Sequence, residues 1–135
     1  MNIALMAHDG KKELMVQFCI AYCGILAGHH ICAPGTTAHL VSEATGLNVT
    51  QYFGGDQGGI QQIAARIAYN EIDLVLYFCD ASGNTDCAGV NEIARVCDSH
   101  NIPFASNVAT AEVLIQGLKR GDLDWREIVK DNRRR

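Results

Sequence analysis

The chain has 135 residues, of which 48% are hydrophobic, with 13 glycines and two prolines. This length and composition predict one globular domain over residues 1–135, without a linker or a low-complexity tract. The net charge of -4 argues against nucleic acid as a partner. No apolar stretch reaches the roughly 20 residues that a membrane span requires, and the first residues lack the features of a secretion signal. We therefore expect a cytoplasmic protein that is not attached to a membrane.

Short apolar segments alternate with amphipathic ones along the chain. The predicted strands cover 2–6, 30–32, 47–53, 72–79 and 102–106. The predicted helices cover 11–27, 39–45, the run from the glycine-rich segment 54–59 to residue 69, 90–100, 110–119 and 123–129. This order is typical of an α/β fold, here a three-layer sandwich whose five-stranded, mainly parallel sheet is covered by helices on both faces.

Two motifs stand where predicted strands end. His8 and Asp9 follow the first strand, and Gly35, Thr36 and Thr37 follow the second. Ligands of open α/β sheets bind at the carboxyl ends of the strands. A glycine lets the backbone approach an anion, and hydroxyls and the amides of a helix N-terminus donate to it. The sequence therefore predicts a phosphate-ester site, although Thr36 or Thr37 acting only as a helix cap is an alternative.

The six cysteines include no Cys-x-x-Cys pair. Cys19 and Cys23 are predicted to share a helical face, and the others are scattered along the chain. Buried thiols are the favoured interpretation, because cysteine often behaves as a small apolar residue in cores. We expect neither a disulfide framework nor a metal site, and no cofactor.

The motifs, taken in order, resemble the methylglyoxal synthase family over nearly the whole chain. Residues 3–9, Ile-Ala-Leu-Met-Ala-His-Asp, resemble the family's first strand and site, and residues 33–37 resemble its Ala-Thr-Gly-Thr-Thr. Residues 43–47 resemble its Ala-Thr-Gly helix end, residues 72–80 its strand ending in a carboxylate, and residues 101–111 its Ile-Pro-x-Ala-Thr-Asn-x-x-Thr-Ala. The chain is identified as a member of this superfamily.

The resemblance implies a homohexameric lyase of a glycolytic bypass, which converts dihydroxyacetone phosphate to methylglyoxal and inorganic phosphate. The residues that it assigns to phosphate binding are His8, Lys12, Gly35, Thr36, Thr37, Gly54 and Gly55, with Lys11 as a neighbouring alternative to Lys12. The carboxylates that it assigns to the reacting end are Asp9, Asp80 and, through the loop described next, Asp56.

The position of the general base allows two alignments. The family reads Ser-Gly-Pro-x-Gly-Gly-Asp-Gln-Gln, and the resemblance implies that its aspartate removes a carbon-bound proton. Aligned without gaps, residues 54–62 place Ile60 at the aspartate, and isoleucine cannot accept a proton. A shifted alignment matches Gly-Gly-Asp-Gln with residues 54–57 and makes Asp56 the base. The ungapped alignment is favoured because it keeps Gln-Gln and the following helix in register.

A second difference concerns the family's Pro-His-x-Pro-Asp segment, whose histidine is implied to shuttle protons between substrate oxygens. The corresponding residues 85–89 read Thr-Asp-Cys-Ala-Gly and contain no histidine, although Asp86 and Cys87 are titratable. Both differences fall at the reacting end of the implied pocket, whereas the phosphate end matches the family.

Three functions are compatible with this pattern. The family default is a phosphate-eliminating lyase with Asp56 or Asp9 as base. The second is a related enzyme acting on another small phosphorylated or carboxylated metabolite. The third is a binding module without chemistry, like the allosteric domain of carbamoyl phosphate synthetase, because one scaffold can serve different sites. The basic end, Arg133 to Arg135, is either a solvated tail or, by resemblance, a group that completes a neighbouring subunit's pocket.

Overall fold

The computed structural model describes residues 1–54, 58–82 and 87–134. The strands are β1 (Asn2–Ala7), β2 (His30–Pro34), β3 (Val49–Tyr52), β4 (Leu74–Phe78) and β5 (Phe104–Ala105). The helices are α1 (Lys12–Ala21), α2 (Cys23–Leu26), α3 (Gly35–Thr45), α4 (Gly59–Ala68), α5 (Ala88–Ser99), α6 (Val108–Arg120) and α7 (Trp125–Arg134), and a 3-10 turn covers Asp9–Lys11. Within these described ranges, no helix is both long and apolar enough to cross a membrane.

The five strands form one parallel sheet in the order β3-β2-β1-β4-β5. β1 pairs with β2 on one side, with Ala4 opposite Cys32, and with β4 on the other, with Ala7 opposite Phe78. The chain therefore changes direction across the sheet between β1 and β4. In open α/β sheets this switch point is where a crevice opens beyond the carboxyl ends of the strands.

Alternating residues of the central strands build two cores. Ile3 and Leu5 of β1 face a cluster formed with α1, α3 and α6, whereas Ala4 and Met6 face a cluster formed with α4 and α5. The period of two follows from strand geometry, and burial of both faces explains why these strands are apolar throughout. The predicted α/β sandwich with a five-stranded sheet is confirmed, and all its strands are parallel.

The predicted element bounds differ from the structure in two informative places. The single helix predicted over 11–27 is a 3-10 turn and two helices, α1 and α2, which are separated at Tyr22. The low helix propensity of Gly24 and Gly28 weakens this segment. α3 begins at Gly35, four residues before the predicted start at His39, because Pro34 serves as its N-cap directly at the end of β2.

A buried ion network holds α7 against the amino-terminal edge of the sheet. Asp73 and Arg126 are 1% and 3% exposed, and Nε of Arg126 lies 3.3 Å from Oδ1 of Asp73. Lys130 also pairs with this carboxylate, and the backbone N–H of Asn2 donates to its Oδ2 at 2.9 Å. Burial opposes ionisation, but the hydrogen bonds from Lys130 and Asn2 outweigh it and lower the pKa of Asp73.

Candidate functional site

The candidate site begins at the switch point, where His8 follows β1 and Asp80 follows β4. The backbone N–H of His8 donates to the carbonyl of Phe78 at 3.0 Å. The backbone N–H of Asp80 in turn donates to Nδ1 of His8 at 2.9 Å. These two bonds fix the loops after β1 and β4 to each other and bring together two of the residues that the sequence predicted.

The bond from Asp80 also sets the tautomer of the His8 ring. Nδ1 accepts a backbone N–H and therefore carries no hydrogen, so the ring hydrogen is on Nε2. The Tyr77 ring packs edge-on against the imidazole, with centroids 5.5 Å apart, and restrains its orientation. His8 thus presents one N–H donor in a fixed direction.

The amino terminus of α3 supplies further donors. Its N-cap is Pro34, which makes no side-chain cap, so the first-turn amides of Gly35, Thr36 and Thr37 have no capping side chain. The alternative that a threonine caps this helix is wrong, because both threonines lie inside the first turn. Thr36 is exposed and Thr37 is 4% exposed. Unsatisfied amides and the positive end of the helix dipole favour an anion at this point.

Gly35 brings the loops after β2 and β3 into contact. A β-carbon at Gly35 would lie 3.0 Å from the α-carbon of Gly54, closer than side chains normally approach a backbone atom. The carbonyl of Gly54 accepts a hydrogen bond from the N–H of Gly59 at 3.0 Å, which closes the turn into α4. Gly35 and Gly54 are therefore neighbours, as expected for residues assigned to one site.

The two lysines after His8 have different surroundings. Nζ of Lys12 lies 2.7 Å from Oδ1 of Asp9, whose side chain is 95% exposed. The hydrogen bond from Lys12 lowers the pKa of Asp9, so Asp9 is ionised and is a weak base. Lys11 is the last residue of the 3-10 turn and is half-buried. Both lysines thus follow the carboxyl end of β1.

Asp80 has the environment of a positioned carboxylate. Its Oδ1 accepts hydrogen bonds from the Ser82 hydroxyl at 2.9 Å and the Ser82 N–H at 3.3 Å. A β-carbon at Gly10 would lie 2.7 Å from Oδ2, so a side chain at residue 10 would displace the Asp80 carboxylate from its present position. Asp80 is half-buried, unlike Asp9.

Three predicted positions, Gly55, Asp56 and Asp86, lie outside the described residues. Ile60, the alternative to Asp56 in the alignment of the base, is the second residue of α4 and is half-buried. It packs against the core cluster beneath α4 and α5, and its Cγ1 would lie 3.8 Å from a β-carbon at Gly89. Ile60 is thus part of the apolar packing between α4 and the start of α5.

Gly10, Tyr77 and Ser82 are site residues that the sequence analysis missed. Gly10 and Tyr77 contact residues about 70 positions away, which no local pattern indicates. Ser82 contacts Asp80, two residues before it in the same loop. Tyr77 gave the clearest signal, because a tyrosine in a fully buried strand normally needs a partner for its hydroxyl.

The chain is similar to several known proteins. The family model described as MGS-like domain matches residues 15–106. The chain belongs to the methylglyoxal synthase-like family. Methylglyoxal synthase of Caldicellulosiruptor saccharolyticus is 57% identical over 130 residues, which are 96% of this chain and 92% of the relative. Methylglyoxal synthase of Oceanobacillus iheyensis is 48% identical over 132 residues, covering 97% of this chain and 94% of that protein.

A solved structure extends the similarity to three dimensions. The crystal structure of methylglyoxal synthase from Elizabethkingia anophelis superposes with a TM-score of 0.79 at 35% identity, covering 84% of this chain and 76% of the other. The resemblance drawn from the motifs is confirmed. Within this family, a lyase that converts a phosphate ester is favoured over an enzyme for another class of metabolite and over a binding module.

Proposed function

We propose that this chain eliminates phosphate from dihydroxyacetone phosphate to give methylglyoxal and inorganic phosphate. The proposal rests on two features at the carboxyl edge of adjacent strands. These are the N-terminus of α3, which has no side-chain cap, and the N–H donor of His8, whose direction is fixed. An anion and a polar carbonyl group can be held side by side at such an edge. The relatives that match nearly the whole chain are named methylglyoxal synthase, and this name supports the reaction.

The phosphate end of the substrate is assigned to α3 and Lys12. A phosphate dianion accepts hydrogen bonds from the amides of Gly35 to Thr37 and from the exposed Thr36 hydroxyl. Lys12 then exchanges its exposed partner Asp9 for the phosphate, at small cost because an exposed ion pair contributes little. The same donors stabilise the charge that develops on phosphate as it leaves.

The reaction needs a base, and Asp80 is our assignment among the described carboxylates. It is half-buried and lies next to His8, whereas Asp9 is exposed and held by Lys12. The carboxylate takes a proton from the hydroxymethyl carbon, and the electron pair forms an enediolate stabilised by the Nε2–H of His8. Collapse of the enediolate breaks the carbon–oxygen bond to phosphate, whose oxygen keeps the electron pair. The enol that remains takes up a proton at carbon and becomes methylglyoxal.

Asp56 is the alternative base, carried over from the shifted alignment. In either case Ile60 does not take part in proton transfer, and its place in the apolar packing of α4 gives it a structural role. The two candidate bases can be separated by experiment, because isosteric asparagine variants remove a proton acceptor while keeping the side-chain shape.

The test is a coupled assay of phosphate release and methylglyoxal formation from dihydroxyacetone phosphate, on the unmodified protein and on the Asp80→Asn, Asp56→Asn and Asp9→Asn variants. We expect turnover in the unmodified protein, a loss of about 10²-fold or more in kcat for the base variant, and a smaller effect at Asp9. Binding of inorganic phosphate without any turnover would contradict the lyase. A full effect at Asp56 alone would move the base to the glycine-rich loop.

We further propose that the enzyme is cytoplasmic, consists of one domain over residues 1–135 and assembles as a homohexamer, as the family resemblance implies. Large apolar side chains on the surface support assembly, since Phe53, Tyr69 and Ile128 are 61%, 78% and 63% exposed. Light scattering on the purified protein measures the assembly, and a monomeric mass at micromolar concentration would contradict it.

A further inference from the structure

The two oxygens of the Asp80 carboxylate have different surroundings. Oδ1 accepts hydrogen bonds from the Ser82 hydroxyl at 2.9 Å and from the Ser82 N–H at 3.3 Å. None of the described residues donates a hydrogen bond to Oδ2. Each carboxylate oxygen has two lone pairs, so residue 82 occupies those of Oδ1 and leaves those of Oδ2 for another partner.

Oδ2 faces the space beside Gly10. A β-carbon at Gly10 would lie 2.7 Å from Oδ2 and 3.6 Å from Cγ of Asp80, and it would meet no further atom of the described chain within 4 Å. Gly10 is exposed, so this space is open to solvent. A substrate carbon a few tenths of an ångström further out would be about 3.0–3.5 Å from Oδ2, the separation at which a reacting pair is poised.

The same space lies in the loop that carries the N–H donor of the site. Gly10 is two residues after His8, and the N–H of Asp80 fixes the His8 ring through Nδ1 at 2.9 Å. One residue, Asp80, therefore orients the ring with its backbone and presents Oδ2 to the loop with its side chain. A small substrate beside Gly10 would have a proton acceptor and a hydrogen-bond donor within one loop.

We propose that Oδ2 of Asp80 takes the proton from the substrate carbon in the space beside Gly10, and that Ser82 is a positioning residue, which holds Oδ1 so that Oδ2 faces this space. In this step the C–H bond breaks and an O–H bond forms at Oδ2. The electron pair of the C–H bond becomes the double bond of the enediolate, and the carbonyl oxygen takes the negative charge. This inference rests on the proposed function, but the reactivity of Oδ2 can be measured without turnover.

Ser82 has this role because a carboxylate turns easily about the bond to its β-carbon. The last torsion of an aspartate side chain has a broad distribution, so packing alone fixes it poorly. Two bonds from one residue fix it well, and the hydroxyl supplies the shorter of the two. Without the hydroxyl, only the 3.3 Å bond from the Ser82 N–H would hold Oδ1. A misplacement of about 1 Å in a reacting group is enough to slow a reaction considerably.

The first experiment measures kcat and KM for dihydroxyacetone phosphate in serine variants. Ser82→Ala should lose about 10-fold or more in kcat, with KM within about twofold of the parent, because Ser82 acts on the base and not on the phosphate. Ser82→Thr keeps a hydroxyl and should recover most of the lost kcat. Ser99→Ala is the matched control, since the Ser99 hydroxyl is also exposed and donates to the carbonyl of Arg95 at 3.0 Å, at the far end of α5. Thermal unfolding should show no larger loss of stability in Ser82→Ala than in Ser99→Ala.

The second experiment uses glycidol phosphate, an epoxide that reports on the carboxylate without any lyase turnover. The carboxylate oxygen attacks a ring carbon, an ester bond forms, the ring C–O bond breaks, and the released oxygen takes a proton from water. Trypsin separates residues 67–95, which contain Asp80, from residues 13–66, which contain Asp56. Fragmentation of the labelled peptide in the mass spectrometer identifies the modified residue. We expect the label on Asp80, forming about fivefold or more slowly in Ser82→Ala and at the parent rate in Ser99→Ala.

The outcomes separate this inference from the proposed function. Parent values of kcat and of the labelling rate in Ser82→Ala would overturn it, and so would a label confined to residues 13–66, which would make Asp56 the reactive carboxylate. A label on Asp80 whose rate depends on Ser82, in a protein that releases no phosphate from dihydroxyacetone phosphate, would support the positioning role and reject only the proposed function.

Discussion

At the scale of single residues, the bond from the Asp80 amide to Nδ1 of His8 is the feature that most constrains the chemistry. It makes Nδ1 of His8 an acceptor and Nε2 its donor. A neutral imidazole can stabilise a developing oxyanion without drawing a full positive charge into the site, and the positive charge comes from Lys12 instead. The division of tasks between these two residues can be tested separately from the fold.

The first prediction compares His8→Asn and His8→Gln, because asparagine and glutamine each reproduce one side of the histidine ring. His8→Asn keeps an acceptor near the position of Nδ1 and should preserve the bond from Asp80 while removing the Nε2 donor. We expect its affinity for an anionic analogue of the enediolate to fall by about 10- to 100-fold, the value of one hydrogen bond to a charged group, with an unchanged melting temperature. His8→Gln keeps a donor near Nε2 and should retain more affinity but lose stability. Equal affinity in the two variants would contradict the assigned tautomer, and calorimetry with thermal unfolding measures both effects.

At the scale of elements, the site depends on how closely the starts of helices and the ends of strands approach one another. α3 begins in the residue after β2, and its first glycine touches the loop that leads from β3 to α4. A helix that began later would leave its amides away from the edge where His8 lies. The position of this helix start is therefore a functional property as well as a structural one.

Gly35→Ala is the second prediction. Its new methyl group would lie 3.0 Å from a backbone atom of Gly54 and must push the glycine-rich loop away. We expect at least a 10-fold loss of phosphate affinity and a loss of stability of about 1–3 kcal/mol, as found for overpacking. Gly24→Ala is the control, because a β-carbon there meets no atom within 4 Å and alanine favours α2. Phosphate titration and chemical denaturation of both variants provide the comparison, and equal affinity in the two would contradict the contact.

The ion network beneath α7 gives the third prediction. Asp73→Asn leaves the buried Arg126 and the largely buried Lys130 without their anion, and we expect a loss of about 3–5 kcal/mol at pH 7. The folded-state pKa of Asp73 is depressed, so its contribution is present above the unfolded value of 3.8 and is lost as pH falls through the folded pKa. The difference in unfolding free energy between the parent protein and Asp73→Asn should therefore shrink only in acid.

Asp122→Asn is the matched control for this network. Asp122 pairs with Arg120 at 2.9 Å, but both side chains are more than half exposed, so the change should cost less than about 1 kcal/mol. Urea unfolding between pH 3 and pH 7 measures all three proteins. A loss at Asp73 as small as that at Asp122 would mean that α7 is not anchored by this carboxylate.

At the scale of the whole molecule, the sheet was predictable because parallel strands buried on both faces are continuous apolar runs separated by amphipathic helices. The start of α3 could not be predicted, because Gly35, Thr36 and Thr37 are poor helix formers. The start of this helix is fixed by Pro34 and by packing. The sequence also placed His8 and Asp80 at one edge. The contacts of Gly10 and Tyr77 could not be predicted, because they join loops that are far apart along the chain.

The fourth prediction concerns the basic end of the chain. If Arg133 to Arg135 complete the pocket of a neighbouring subunit, a chain ending at Asn132 should bind inorganic phosphate at least 10-fold more weakly while unfolding at the same temperature. Its mass in solution should equal that of the full assembly, because the anchor of α7 through Arg126 and Lys130 is retained. Unchanged phosphate affinity would mean that the tail is solvated and takes no part in the site.

β1 lies in the centre of the sheet, and this position affects how the chain folds during its synthesis. β1 is synthesised first, and β2 can pair with one of its edges at once, but the partner of its other edge, Leu74 of β4, follows 71 residues after Ile3. A nascent chain that ends before β4 therefore carries an open, apolar strand edge, which is a template for pairing with other chains. Truncated or stalled products of this gene are expected to aggregate, whereas the completed chain covers that edge within its own sheet.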